Sequence, residues 1–259
     1  MYYNFIKSNM KASQIMKKIK FINSNCLKIL AMALMLLDHL WATIIPGNQW
    51  MTNIGRMAFP IFAFLIVEGY FHTSDFKKYL KRLFIFALIS EIPFNLIYTG
   101  STIFPFHQNV LFTLILGLLC INEIDKLKKN KNWKNIIKGI FKILIFMLLG
   151  IIGFVDYGIT GILTIIVFYI FRNFKFAWLG QLISLILLYV VFFKGQSVII
   201  NIFEYEYFLP LQAFGILSLI PIWLYNSKRG NKNKLLQYTF YAFYPVHMLC
   251  IYLIYYFMF

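Results

Sequence analysis

Acidic charge is scarce in this chain of 259 residues: nine Asp and Glu stand against 25 Lys and Arg, and charged residues make up only 13%. Soluble domains hold about 25% charged residues, so a water-exposed globular domain is excluded. Cysteine is equally thin. Cys26, Cys120 and Cys250 are widely spaced, with no CxxC and no histidine at metal-ligand spacing. That excludes a disulfide scaffold, a zinc site and a redox pair, and leaves the three thiols as buried structural residues. There is no nucleophile elbow, P-loop or metal motif, so covalent serine chemistry, ATP hydrolysis and zinc catalysis have no support. No repeat relates the two halves, which weakens a transporter built from paired repeats.

What the chain has in abundance is apolar surface, with 61% hydrophobic and 20% aromatic residues. Nine apolar segments, near 27–46, 54–72, 79–98, 109–122, 138–155, 157–172, 176–193, 209–225 and 236–256, approach the length that crosses about 30 Å of hydrocarbon. The expectation is an all-α fold: a polytopic integral membrane helical bundle of about nine transmembrane helices. The net charge of +16 falls in short clusters between these segments. Such clustering sets membrane orientation and argues against a nucleic-acid partner.

Alternate loops carry the clusters. Lys7, Lys11, Lys17, Lys18, Lys20 and Lys28 precede or open the first segment, and Lys77, Lys78, Lys81 and Arg82 follow the second. Lys126, Lys128, Lys129, Lys131, Lys134, Lys138 and Lys142 follow the fourth, Arg172 and Lys175 the sixth, and Lys228, Arg229, Lys232 and Lys234 the eighth. Only Arg56 and Lys194 break the pattern. The positive-inside rule then places the N-terminus in the cytoplasm and the C-terminus outside. Residues 1–26 read as a basic cytoplasmic segment, retained rather than cleaved, and residues 27–259 as the transmembrane domain.

Polar groups sunk in apolar helices are functional candidates, because an ionisable side chain near the bilayer centre costs a few kcal/mol unless it pairs or faces a cavity. Asp38, His39, Glu91 and His247 lie at such depth. Arg56, His107, Gln108, Asn109 and Asp156 collect near the outer ends, where Arg56 can neutralise Asp38, Glu91 or Asp156. Glu91 and Asn95 share a helical face across Pro93. A polar pocket open to the outside is the inference. Each group also has a bland reading: Arg56 with Asp38 or Glu91 as a structural ion pair, His247 as a satisfied core histidine, and Glu68 with His72 as a solvated pair. Asp75, Glu123, Asp125, Glu204 and Glu206 read as solvated charges. His39 is the sharper candidate, since a histidine beside a carboxylate can act as a general base near neutral pH.

Several ordered motifs carry a family resemblance. Leu27-Lys-Ile-Leu-Ala-Met with Asp38-His39, Gly55-Arg56-Met-Ala-Phe-Pro60, Glu68-Gly69-Tyr-Phe-His72, Tyr79-Leu-Lys-Arg82-Leu, Ser90-Glu91-Ile-Pro93-Phe-Asn95, Gln108-Asn109-Val and Asp156-Tyr157-Gly158 closely resemble the TraX family. Phe243-Tyr244-Pro245-Val-His247 is similar to its last-helix pattern. The family's founding member N-acetylates a conjugative pilin, and the family looks related to the acyltransferase 3 group. The resemblance implies a membrane-bound acyltransferase, multi-pass in the bacterial cytoplasmic membrane, that takes acetyl from cytoplasmic acetyl-CoA to an amine or hydroxyl acceptor outside. No metal is implied. His39, Asp38, Arg56 and Glu91 would be catalytic: His39 as base, Asp38 orienting or charge-balancing it, and Arg56 stabilising charge at the thioester carbonyl. Asn95, Gln108, Asn109, Asp156 and His247 would bind the acceptor, and Lys81, Arg82, Glu68 and His72 the CoA. Membrane lipid, acetyl-CoA and the acceptor are the expected partners. Two other readings stay open: a transporter or flippase using the buried charges, and a non-enzymatic component of a conjugation or secretion apparatus.

Overall fold

A computed structural model describes residues 20–129, 132–193, 195–202, 205–231 and 233–258, with the side chains of 200–202 and 234 left aside. Most of the basic N-terminal segment, together with Lys131, Lys194, Glu204 and Lys232, lies outside the described residues.

The described chain is mostly helical, and every apolar segment expected from hydropathy contains helix. The elements are α1 (Ser24–Thr43), α2 (Gln49–Gly55), α3 (Ala58–His72), α4 (Phe76–Thr99), α5 (Val110–Lys129), α6 (Trp133–Ile152), α7 (Gly158–Phe171) and α8 (Ala177–Ile186). A π-helical turn (Leu187–Phe192) prolongs α8; strands β1 (Ser197–Ile202) and β2 (Tyr205–Pro210), a 3₁₀ helix (Leu211–Ser218), α9 (Leu219–Trp223) and α10 (Lys234–Met258) follow.

Local chemistry sets the ends. Asn23 caps α1 by accepting from the Cys26 amide, and Asp75 caps α4 by accepting from the Lys78 amide. Such caps satisfy donors that the first helical turn leaves free. Gly100, at φ +68, closes α4 in the left-handed region.

Among the described residues, four helical stretches are long and apolar enough to cross a membrane: Ser24–Thr43, Gln49–His72, Trp133–Ile152 and Leu235–Met258. Gly158–Phe171, Ala177–Phe192 and Leu211–Trp223 are apolar and shorter. The protein is therefore a helical membrane protein. Two expectations need correction. The fold is not purely α, because Ser197–Ile202 and Tyr205–Pro210 pair as an antiparallel hairpin, from Ser197 opposite Pro210 to Ile202 opposite Tyr205. The eighth segment is not one α-helix but a strand end, a 3₁₀ helix and a short α-helix. A hydropathy window averages over side chains and is blind to backbone pairing, so a run rich in Ile, Val, Tyr and Phe reads alike as strand or span.

Burial follows composition. Helix α3 is apolar all round, and ten of its residues from Ala58 to Glu68 are buried, which makes it the central helix. It packs on α1, α7 and the 3₁₀ helix, while α10 lies along α4 and α1. Helix α6 buries only Gly139 and Gly150 and turns Ile140, Phe141, Leu144 and Leu148 outward, as a lipid-facing helix does. Of the cysteines, Cys120 is buried as expected, whereas Cys26 and Cys250 are exposed.

Glu123 is not a solvated charge either. It is 8% exposed and holds Lys126 at 2.5 Å and Lys142 at 3.5 Å, tying the end of α5 to α6. Asp125 accepts from the hydroxyls of Tyr70 and Tyr169. Charges that look like loop residues in sequence thus meet partners on neighbouring helices, Glu123 on α6 and Asp125 on α3 and α7.

Candidate functional site

A cavity of about 1030 Å³ is walled by α1, α3, α4 and α10, with parts of the loops between them. Ser24, Lys28, Lys78, Arg82 and Arg229 line it, and so do Asp38, His39, Arg56, Tyr98, His107 and Asp156. Lys28 opens α1 and Lys78 opens α4, whereas Asp38, Tyr98 and Asp156 belong to the opposite helix ends. One cavity thus joins a basic end of the bundle to a polar chamber.

His39 is 9% exposed, and its Nδ1 lies 2.7 Å from Nε2 of His247 on α10, which is 6% exposed. The rings are parallel within 4°. The next contact fixes the protons. Nδ1 of His247 is 2.7 Å from the Phe243 carbonyl, which can only accept, so His247 carries its proton on Nδ1. In the neutral pair, His247 Nε2 is then the acceptor and His39 Nδ1 the donor. His39 Nε2 is left with a free lone pair, and His39 lines the cavity. Two histidines 208 positions apart thus fix the orientation and tautomer of one imidazole.

Asp38 does not orient that base. Its Oδ1 accepts from the Thr52 hydroxyl at 2.7 Å and from Arg56 Nη2 at 3.2 Å, while Arg56 Nη2 also donates to Thr52 at 3.0 Å. The correction has a geometric cause, since successive residues of a helix point about 100° apart: Asp38 faces α2 while His39 faces α10. Arg56 keeps a buried Nε with no acceptor among the described residues. Tyr157, Asp156 and Tyr98 are within electrostatic reach of its guanidinium.

Gly55 permits this arrangement by close approach. A Cβ there would stand 2.6 Å from Cβ of Asp38, so α1 and α2 touch backbone to backbone. Gly55→Ala is expected to destabilise the detergent-solubilised protein by about 1–3 kcal/mol, the usual cost of forcing atoms into a packed site. Thermal unfolding checks this; an unchanged midpoint would show that the contact yields freely.

Other expected site residues are placed outside the cavity. Glu91 Oε2 accepts from Asn109, from the side-chain amide at 2.5 Å and from the backbone at 3.3 Å. Asn109 donates also to the Ala87 carbonyl at 2.9 Å and caps α5 by accepting from Leu111. Both do structural work at a helix start, where a carboxylate is favoured. Asn95, 2% exposed, donates to the Thr102 carbonyl at 3.4 Å. Gln108 exchanges backbone bonds with Phe154 and Asp156, both at 2.9 Å, and its side chain donates to Pro105. Its part is to hold the loop that presents Asp156, which does line the cavity. His247 stands behind His39 rather than on the wall.

At the basic end, Arg82 and His72 line the cavity and Lys81 does not. Glu68 lines it too, but its carboxylate is taken by Arg172, with Nε at 2.6 Å and Nη2 at 3.4 Å. His72 Nδ1 bonds the Glu68 carbonyl at 2.7 Å. Sequence reasoning missed Tyr98, Tyr157 and Tyr244 on the cavity wall, and Thr52 behind it, where it holds Asp38 and Arg56. Thr52 left a signal, being four residues before Arg56 on one helical face, and Tyr157 and Tyr244 stand inside the motifs Asp156-Tyr157-Gly158 and Phe243-Tyr244-Pro245.

Comparison with known proteins agrees with this picture in outline. The "Probable fimbrial assembly protein FimC, serogroup H1" of Dichelobacter nodosus is 35% identical over 106 residues, 37% of this chain. The match covers 43% of that protein's own length. No solved structure matches. The model of the family described as "TraX protein" matches residues 23–255, from the cap of α1 through nearly all of α10, and the chain belongs to that family.

Proposed function

We propose that the protein is an acyltransferase of the bacterial cytoplasmic membrane, moving an acetyl group from acetyl-CoA at the basic end of the cavity to an amine or hydroxyl acceptor at the other. The observation that carries this reading is the His39–His247 pair. A histidine with a fixed tautomer and a free Nε2 on a cavity wall is what proton removal from an acceptor requires.

Acetyl-CoA supplies the activated acetyl group, and cations at one cavity end suit its phosphates. His39 takes the proton from the acceptor at Nε2 as the new bond to the acetyl carbon forms. It later gives that proton to the departing thiolate, so no net proton is gained or lost. Bonded to His247, the His39 imidazolium shares its charge with a second ring. The Arg56 guanidinium on the cavity wall suits the negative charge that develops on the carbonyl oxygen.

Purified protein given labelled acetyl-CoA and extracytoplasmic extract is expected to label an acceptor. His39→Ala is expected to cut the rate about 10²–10⁴-fold, the usual contribution of a general base, while the protein still accumulates and folds. Full transfer by that variant would remove His39 from the chemistry. The name of the fimbrial relative favours a second reading, a non-enzymatic part of a pilus or conjugation apparatus. On that reading no labelled acceptor forms, and assembly survives His39→Ala.

A further inference from the structure

The basic end of the cavity contains more positive charge than it can balance. Lys28 on α1, Arg82 on α4 and Arg229 in the loop before α10 line it together, although about 50 and 150 residues separate them. Among the described residues none of the three has a carboxylate within salt-bridge distance. The acids on that wall are engaged elsewhere: Glu68 by Arg172, and Asp75 by the Lys78 amide and ammonium. Lys28 and Arg229 are close enough to repel one another, and Arg82 Nε is buried without an acceptor.

Three helices begin on the wall of this cavity. Ser24 of α1, Asp75 before α4 and Asn233 before α10 all line the cavity; the Asp75 carboxylate meets the start of α4, and the N-terminal dipoles of α1 and α10 add their positive ends to the cations. The loop is held rather than loose. The Ser24 amide donates to the Lys228 carbonyl at 2.9 Å, and the Asn25 side chain donates to the Asn231 carbonyl at 3.0 Å. Gly230, at φ +81, lies so near that a Cβ would meet Asn25 Nδ2 at 2.9 Å. Lys28 Nζ sits 4.9 Å above the Phe240 ring, which fixes its direction.

A preorganised set of cations without counter-ions costs free energy until an anion arrives. We infer that Lys28, Arg82 and Arg229 form a binding site for a ligand carrying two or more phosphate groups, set at the mouth of the cavity that leads to His39. The identification of that ligand as the acyl carrier rests on the acyltransferase reading; the anion chemistry does not. Phosphate esters reach such a mouth from two sources, a soluble nucleotide or an anionic lipid headgroup.

The test uses the full chain in phosphatidylcholine nanodiscs, with adenosine, adenosine monophosphate and adenosine 3′,5′-bisphosphate as probes in calorimetry. Affinity is expected to rise with each phosphate, and each of Lys28→Gln, Arg82→Gln and Arg229→Gln to weaken the bisphosphate about tenfold, the effect of one charge-assisted contact. Cardiolipin, a lipid with two phosphates, that co-purifies with the native protein and is lost from the triple variant would support the site with lipid as its source. Equal binding of adenosine and its bisphosphate by the native protein, with no retained lipid, overturns the site whether or not the variants fold. Bisphosphate binding without acetyl transfer leaves the site standing and removes the acyltransferase reading. Acetyl transfer with an unchanged KM for acetyl-CoA in the triple variant does the reverse.

Discussion

His247→Leu is expected to lower acetyl transfer about 100-fold, the scale on which a misplaced catalytic group loses rate, with KM for acetyl-CoA unchanged. The expectation follows from the proton chain. Phe243 fixes the His247 proton, and His247 Nε2 then accepts from His39 Nδ1 at 2.7 Å. Leucine fills the space but accepts nothing, so His39 is free to turn or to change tautomer. His247→Gln separates this role from packing: its side-chain carbonyl can accept the same N–H, and the rate is expected to return to within about tenfold of native on the same scale. Measured kcat and KM for the three proteins decide it. A glutamine variant as slow as the leucine one would reduce His247 to packing.

The second large effect concerns stability at the basic end. Glu68 has a side chain only 7% exposed and two contacts from the Arg172 guanidinium. Arg172→Met strands that carboxylate and is expected to cost about 3–5 kcal/mol, as breaking a buried pair from one side does. The double change Glu68→Leu with Arg172→Met removes both charges and is expected to recover most of the loss. Thermal unfolding in detergent measures each variant. A single variant as stable as the native protein would show that water reaches Glu68 freely.

The helices themselves were legible. Each expected segment contains helix because a long apolar stretch in hydrocarbon must satisfy its own backbone bonds, and residue type alone states that requirement. The hairpin between Ser197 and Pro210 was not legible, because pairing depends on register between strands rather than on mean hydropathy. The same division runs through the candidate site. Asp38, His39, Arg56 and Asp156 announced themselves as polar groups among apolar neighbours, and all four line one cavity. Glu91 and Asn109 gave the same signal for another reason, because they close the start of α5. A buried polar residue satisfying a helix end and one facing a cavity cost similar amounts in sequence and differ only in what they meet.

Composition and charge order by themselves determined that the chain enters a membrane as apolar helices, with its cations gathered in clusters between apolar segments. Those properties are sums over local residues and need no fold. Which histidine holds which, which acid is spent on Arg172, and that Lys28, Arg82 and Arg229 meet at one mouth were decided by the tertiary structure. Hydrogen bonds and ion pairs act over a few ångströms, and the partners stand tens to hundreds of residues apart until the helices pack.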